Sequence, residues 1–242
     1  MGESIGPSIT IVPGGPYLVA GDVPLSLESI GIDDAGDAWT YVAGRTFEAA
    51  PSYALCRCGA SSKKPYCDGT HASVAFDGTE TASRAAHRDR SETIAGPTMI
   101  LHDAKDLCAY ARFCDGRGSI WKLVPQSDSD GVRETVAHEG TSCPSGRLVV
   151  DDLQTDGSAL EPAYAPAVVL LEDPQKACSG PLAVRGGIPI ASNGAAYETR
   201  NRVTLCRCGR SQNKPFCDGT HADVGFDDGM LAAPAAGIPT PA

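Results

Sequence analysis

The sequence predicts a mainly β protein with a small α+β insertion, arranged as two β-rich units on either side of a different middle segment. Three observations carry this reading. A cysteine-rich string occurs twice, LCRCGASSKKPYCDGTH at 55–71 and LCRCGRSQNKPFCDGTH at 205–221. Over 55–77 against 205–227, 17 of 23 positions are identical, which makes the two strings copies of one unit. A second likeness, GPYLVAGDVPL at 15–25 with GPLAVRGGIPI at 180–190, runs at an offset of 165 rather than 150. The first unit therefore carries about fifteen extra residues before its cysteines, around SIGIDDAGDAW, and these predict a longer hairpin.

Each unit reads as an apolar strand, a Gly/Pro turn, further strands and then the cysteine-rich loop. TYVAGRTFEAAPSYALCRC and AAYETRNRVTLCRC are rich in the β-branched and aromatic residues that favour strands. After each string, A-x-V-x-F-D predicts one more short strand, with Val74 and Phe76, or Val224 and Phe226, on one face. The units span 10–77 and 179–228, with the middle segment at 95–172. Within it, HDAKDLCAYARF predicts a short helix from Asp103, because Leu107, Tyr110 and Ala111 lie about a turn apart. VRETVAHEGTSCP predicts a second helix ending before Cys143-Pro144, and SGRLVV a strand. MLAAPAAGIPTPA at 230–242 predicts no regular structure.

Composition limits the function. Five Phe, two Trp and three Met make a thin core for 242 residues, so a staple is expected, and ten cysteines can supply it. A net charge of −10 without a basic stripe argues against nucleic acid. No apolar run approaches the ~20 residues of a membrane span. Residues 1–15 lack the basic start and apolar run of an export leader. The expected compartment is the cytoplasm, where cysteines act as ligands or reduced thiols rather than disulfides.

Each string has the spacing Cys-x-Cys-x8-Cys-x3-His, which collects Cys56, Cys58, Cys67 and His71 in the first copy. The second copy collects Cys206, Cys208, Cys217 and His221. Three thiolates and an imidazole suit either tetrahedral zinc or a 2Fe–2S unit. One residue between the paired cysteines is tighter than the two to four common in structural zinc sites. In the cluster reading Cys56 and Cys58 hold an inner iron, Cys67 and His71 an outer one, and the second copy repeats this. Asp68 and Asp218 are read as turn-forming, not catalytic. Arg57 and Arg207 are expected to point outward, and Lys63, Lys64 and Lys214 to face cluster or partner.

The strings resemble the CDGSH iron–sulfur domain of mitoNEET-type proteins, with Thr where the family name has Ser. The matching positions are Cys56, Cys58, Ser61, Pro65, Cys67, Asp68, Gly69 and His71, and again Cys206, Cys208, Ser211, Pro215, Cys217, Asp218, Gly219 and His221. The resemblance implies one redox-active, acid-labile 2Fe–2S cluster per string. It also implies a β-cradle of paired motifs, formed here within one chain about a pseudo-twofold axis, so that a monomer or weak oligomer is expected.

Four cysteines remain. Cys108, Cys114 and Cys143, in CAYARFC and CPSGRL, resemble the divergent monocluster ferredoxins, with Ala111 where a middle cysteine would stand. The resemblance implies a 3Fe–4S cluster, or a 4Fe–4S cluster completed by Cys178, water or another ligand; Cys178 itself reads first as a core thiol. Phe113 and Trp121 are candidates to screen this site, while His87, His102 and His138 have no matched cysteines. No dinucleotide fingerprint, Walker A string, HExxH pair or Ser-His-Asp order is present. The expected function is therefore non-catalytic: electron transfer or cluster storage and transfer, with a redox partner or an apo iron–sulfur acceptor. The alternative is a structural zinc-binding interaction module.

Overall fold

The computed structural model describes residues 6–231, so 232–242 of the C-terminal stretch and the first five residues lie outside the described residues. Thirteen strands form three sheets. In chain order they are β1 (Ser8–Ile11), β2 (Tyr17–Ala20), β3 (Leu25–Ile32), β4 (Ala38–Phe47), β5 (Ser52–Leu55), β6 (Glu92–Ala95), β7 (Met99–Asp103) and β8 (Leu148–Asp152). The remainder are β9 (Ala167–Asp173), β10 (Cys178–Arg185), β11 (Ile190–Ser192), β12 (Ala195–Ala196) and β13 (Arg202–Leu205). Four helices are α1 (His87–Arg90), α2 (Ile120–Leu123), α3 (Asp130–Ser142) and α4 (Thr220–Asp223).

The two large sheets have the orders β12-β11-β1-β2-β5 and β13-β10-β9-β3-β4. Read from opposite ends, they are the same sheet built twice. Tyr17 of β2 faces Leu55 of β5, and at offsets of 165 and 150 Leu182 of β10 faces Leu205 of β13. The parallel pairs also match, with Ile9 facing Ile190 and Leu25 facing Val168. Each copy thus lends a strand to the other copy's sheet: β3 pairs with β9, and β11 with β1. This exchange produces one core, in which Ile9, Tyr17, Leu25 and Leu55 pack with Val168, Leu182, Ile190 and Leu205. β9 is buried after its first residue, and its VVLL run is what a strand covered on both faces requires.

The extra residues of the first copy form the long β3–β4 hairpin, turned by Asp33, whose carboxylate accepts from the amides of Ala35 and Asp37. The middle segment forms the sheet β6-β7-β8 against α2 and α3, with Met99, Leu101, Ile120, Val136 and Val150 in its own core. α3 ends at Ser142, before Cys143-Pro144 as the sequence predicts. Two expectations are corrected. No helix runs from Asp103: β7 ends there, a single 3-10 turn covers Lys105–Leu107, and Tyr110 and Arg112 have φ of 56° and 67°. The A-x-V-x-F-D strings are not strands, since turns follow His71 and His221 and leave Val74 and Val224 exposed.

Candidate metal centres

Each cysteine-rich loop is tied to the end of a strand by its own backbone. The amide of Cys56 donates to the Pro65 carbonyl at 2.8 Å and that of Cys67 to the Ala54 carbonyl at 2.9 Å. Cys206 and Cys217 repeat this with Pro215 and Thr204, at 2.9 and 3.0 Å. Ser61 and Ser211 donate to the carbonyls of Tyr66 and Phe216, both at 2.7 Å. Asp68 accepts from the amides of Ser62 and Thr70 and from the Ser62 hydroxyl, and Asp218 from the amides of Gln212 and Thr220. Those bonds hold the Asp68 carboxyl far below the usual carboxylate range. Both aspartates are turn-forming. Lys64 and Lys214 are also spent internally, on the carbonyls of Ser61 and Ser211.

These constraints bring the predicted donors together in twos. Cys56 and Cys58 have their sulfurs 3.8 Å apart, and Cys206 and Cys208 3.6 Å. The Nδ1 atoms of His71 and His221 each lie 3.3 Å from the sulfurs of Cys67 and Cys217. Two thiolates bound at ~2.3 Å to one tetrahedral metal sit roughly 3.8 Å apart, so the sulfur pairs are spaced for a shared ion. Among the described residues, no three Cys, His, Asp or Glu side chains converge on one ion-sized position. A mononuclear zinc site needs four donors around one point. Each string instead presents two pairs of donors, Cys–Cys and Cys–His.

Cys108, Cys114 and Cys143 line one small cavity, together with Ala109, Phe113 and Leu148. The left-handed Tyr110 and Arg112 alternate with buried Ala109, Ala111 and Phe113, so the backbone loops around the cavity rather than coiling. Burial, followed by the nearby Cys143, pushes the Cys114 thiol up to about 12, as expected for a thiol among other thiols in an apolar setting. Three thiolates spread around a cavity suit a multi-iron cluster, each on a separate iron. Cys178 lies elsewhere: it is buried on β10 opposite Asp173, and burial raises it to about 11. Phe113 closes the cavity from within, while Trp121 lines the cleft beside it and donates to Asp103. His87, His102 and His138 bond to Arg147, Asp151 and Trp39, away from any cysteine.

Comparison with known families matches residues 14–72 and 179–222 to the iron-binding zinc finger of CDGSH type. Residues 94–152 match the divergent 4Fe–4S mono-cluster family. The chain carries two CDGSH-type iron-binding domains around a divergent mono-cluster segment. Neither the curated proteins nor the solved structures provide a match.

The two CDGSH-type domains are not equivalent. In the first, Cys67 and His71 are half-buried, but in the second Cys217 and His221 are buried. The difference is the middle segment, which packs Tyr110 against Gly219, and whose Asp106 carbonyl accepts from Asn213 at 2.6 Å. Burial drives the Cys217 thiol well above its ordinary range, with smaller raising effects from Cys206, Asp218 and Cys108. Burial also lowers the imidazole of His221 to about 4. The hydrogen bond from Cys208 lowers the Cys206 thiol below its ordinary range.

Arg57 and Arg207 do not point outward. Both are buried, where a sequence reading of one charge between two cysteines placed them in solvent. Arg207 donates to the carbonyls of Gly180 and Leu171 and pairs with Glu172 and Asp228. Arg57 donates to the Gly78 carbonyl and lies over the rings of Tyr17 and Phe76. Position 78 is glycine where the second copy has Asp228.

Glu139 of α3 accepts from the Arg117 amide with one oxygen, while the other has no partner, and burial raises it to about 7. Its folded value lies above the unfolded ~4.3, so its contribution is present below about pH 4 and lost as the pH rises through about 7. Glu139→Gln should therefore raise stability at pH 8 by at most about 3 kcal/mol and flatten the decline between pH ~4 and ~7. Urea melts at pH 5 and pH 8 test this; equal shifts at both pH values would contradict it.

Proposed function

We propose that this chain is a non-catalytic iron–sulfur protein whose work is electron transfer. Cys56, Cys58, Cys67 and His71 would hold one 2Fe–2S unit, and Cys206, Cys208, Cys217 and His221 another. Cys108, Cys114 and Cys143 would hold a 3Fe–4S unit, or a 4Fe–4S unit completed by a ligand other than Cys178. The observation that carries this is the presentation of donors in pairs at 3.3–3.8 Å, two pairs to each repeated string. Bound clusters would supply one-electron redox chemistry. The protein's own residues fix the donors and exclude water from the second domain.

Electron transfer is favoured over delivery of clusters to an apo acceptor, because all four donors of the second set are buried and the middle segment packs against their loop at Gly219. The acidic surface suits a basic redox partner. Shared sheets pair the two domains internally, which supports a monomer. No helix among the described residues is long and apolar enough to cross a membrane, and a cytoplasmic location fits reduced thiols.

Iron, sulfide and zinc analysis of anaerobically purified protein, with electron paramagnetic resonance, tests the reading. About four iron and four sulfide are expected from the two CDGSH-type domains, rising to about seven or eight iron with the middle site filled. A colourless protein carrying zinc alone would establish the structural zinc module instead.

A further inference from the structure

The three sites touch in an order different from their order in the chain. First and second meet through the loops that carry their paired cysteines. A Cβ on Gly59 would stand 2.6 Å from the Cys208 carbonyl oxygen, and one on Gly209 would stand 2.5 Å from that of Cys58. Both glycines have φ of 77°, so only glycine permits this approach. Tyr17 of the first copy strengthens the join by donating to the carbonyls of Cys206 and Pro215, at 2.8 and 3.2 Å. The second and middle sites meet at Gly219, beside the ligand Cys217. Its Cβ position lies 3.1 Å from Cβ of Tyr110 and 3.7 Å from the carbonyl oxygen of Cys108, itself a middle-site cysteine.

Among the described residues, no such glycine contact joins the first site to the middle segment. The cleft beside Cys58 is lined by Val74, Phe76, Asp77, Arg210 and Lys214, with no residue of the middle segment. Access to solvent follows the same line. Cys67 and His71 are half-buried at one end, and a cleft between Tyr110, Arg112, Trp121 and Lys176 opens on Cys108 and Cys114 at the other. Between them, none of the second site's four donors is more than 5% exposed.

We propose that the second CDGSH-type site is an internal relay, reached only through the other two, so that electrons pass between the His71 face and the Tyr110 cleft by way of Cys206–His221. This rests on the redox reading above. A one-electron donor protein would give one electron at one face and a one-electron acceptor protein would take one at the other. Each internal transfer oxidises one site by one electron and reduces its neighbour by one, and no bond is made or broken. The chain order of first, middle and second is thereby refolded into first, second and middle, with two separate docking faces for the two partners.

Spin-relaxation measurements on the reduced holoprotein test the order. His71→Cys and His221→Cys each change one ligand and so assign the two 2Fe–2S signals. With the middle site poised in its faster-relaxing spin state, the second signal should carry a fast-relaxing component that changes when that site is poised in its other oxidation state, while the first signal stays unchanged. Cys114→Ser, which empties the middle site, should remove that component, and the poise experiment on unmodified protein decides the matter if this variant does not fold. A first signal that responds to the middle site as strongly as the second, or a second signal that does not respond, would overturn the relay. Absence of 2Fe–2S signals altogether would instead remove the redox reading itself.

Discussion

Replacing Arg207 by methionine should destabilise the protein by about 3–5 kcal/mol, because it leaves two buried carboxylates without their counter-charge. Glu172 is fully buried, one of its oxygens has no partner, and burial already raises its proton affinity against the opposing pull of Arg207. The Asp228 side chain is also buried, and the carbonyls of Gly180 and Leu171 would lose their donor as well. The same change at Arg57 should cost only about 1 kcal/mol, one ordinary hydrogen bond. Among the described residues Arg57 has no carboxylate partner, and two of its nitrogens are already unsatisfied. Guanidinium denaturation of both variants checks the contrast. Because Arg207 stands between Cys206 and Cys208, iron loss from the second domain should accompany the instability. Glu172→Gln with Asp228→Asn in the Arg207→Met background should recover part of it. Equal costs at the two arginines would show that the ion pairs do not set this difference.

That contrast also marks how far the sequence can be read. Arg57 and Arg207 occupy the same place in near-identical strings, and nothing within the strings distinguishes them. The distinction comes from Asp228, from Glu172 on β9, and from the docking of the middle segment, all outside the repeat. The pairs Cys56–Cys58, Cys67–His71, Cys206–Cys208 and Cys217–His221 are legible because short spacing brings each pair together locally. Strands β2 and β10 are legible because they overlap the repeat of 15–25 at 180–190, and β5 and β13 because β-branched and aromatic residues lead into each cysteine string. The exchange of β3 and β11 is not legible, because β1 and β9, the strands that receive them, share no recognisable sequence. β9 reads as part of the middle segment by position and joins the second sheet by hydrogen bonding. The spacing of Leu107, Tyr110 and Ala111 mimics a helix, yet Tyr110 and Arg112 adopt left-handed backbone so that Cys108 and Cys114 can face one cavity. Val74 and Val224 alternate as strand residues do, but neither is paired in a sheet. Periodicity reports local preference; pairing and docking decide which preference survives.

Acidification should empty the first CDGSH-type domain before the second. Both histidines present Nδ1 to a cysteine sulfur at 3.3 Å, so their local chemistry is alike and access to solvent separates them. Cys67 and His71 are half-buried, whereas Cys217 and His221 are buried, with Tyr110 packed against Gly219 between them in the chain. Burial lowers His221 to about 4, against an unfolded value near 6.5. A lowered folded value means that this residue's contribution is present above about pH 6.5 and lost as the pH falls through about 4. As the pH is lowered, iron release followed by visible absorbance should therefore pause with roughly half of the CDGSH-bound iron retained, the remainder leaving only at lower pH. His71→Cys should abolish the early step, since a thiolate ligand has no second ring nitrogen through which to take up a proton. His221→Cys should leave the early step in place and remove the late one. If all of the iron left in a single step that His71→Cys did not move, the cover provided by the middle segment would not be what separates the two domains.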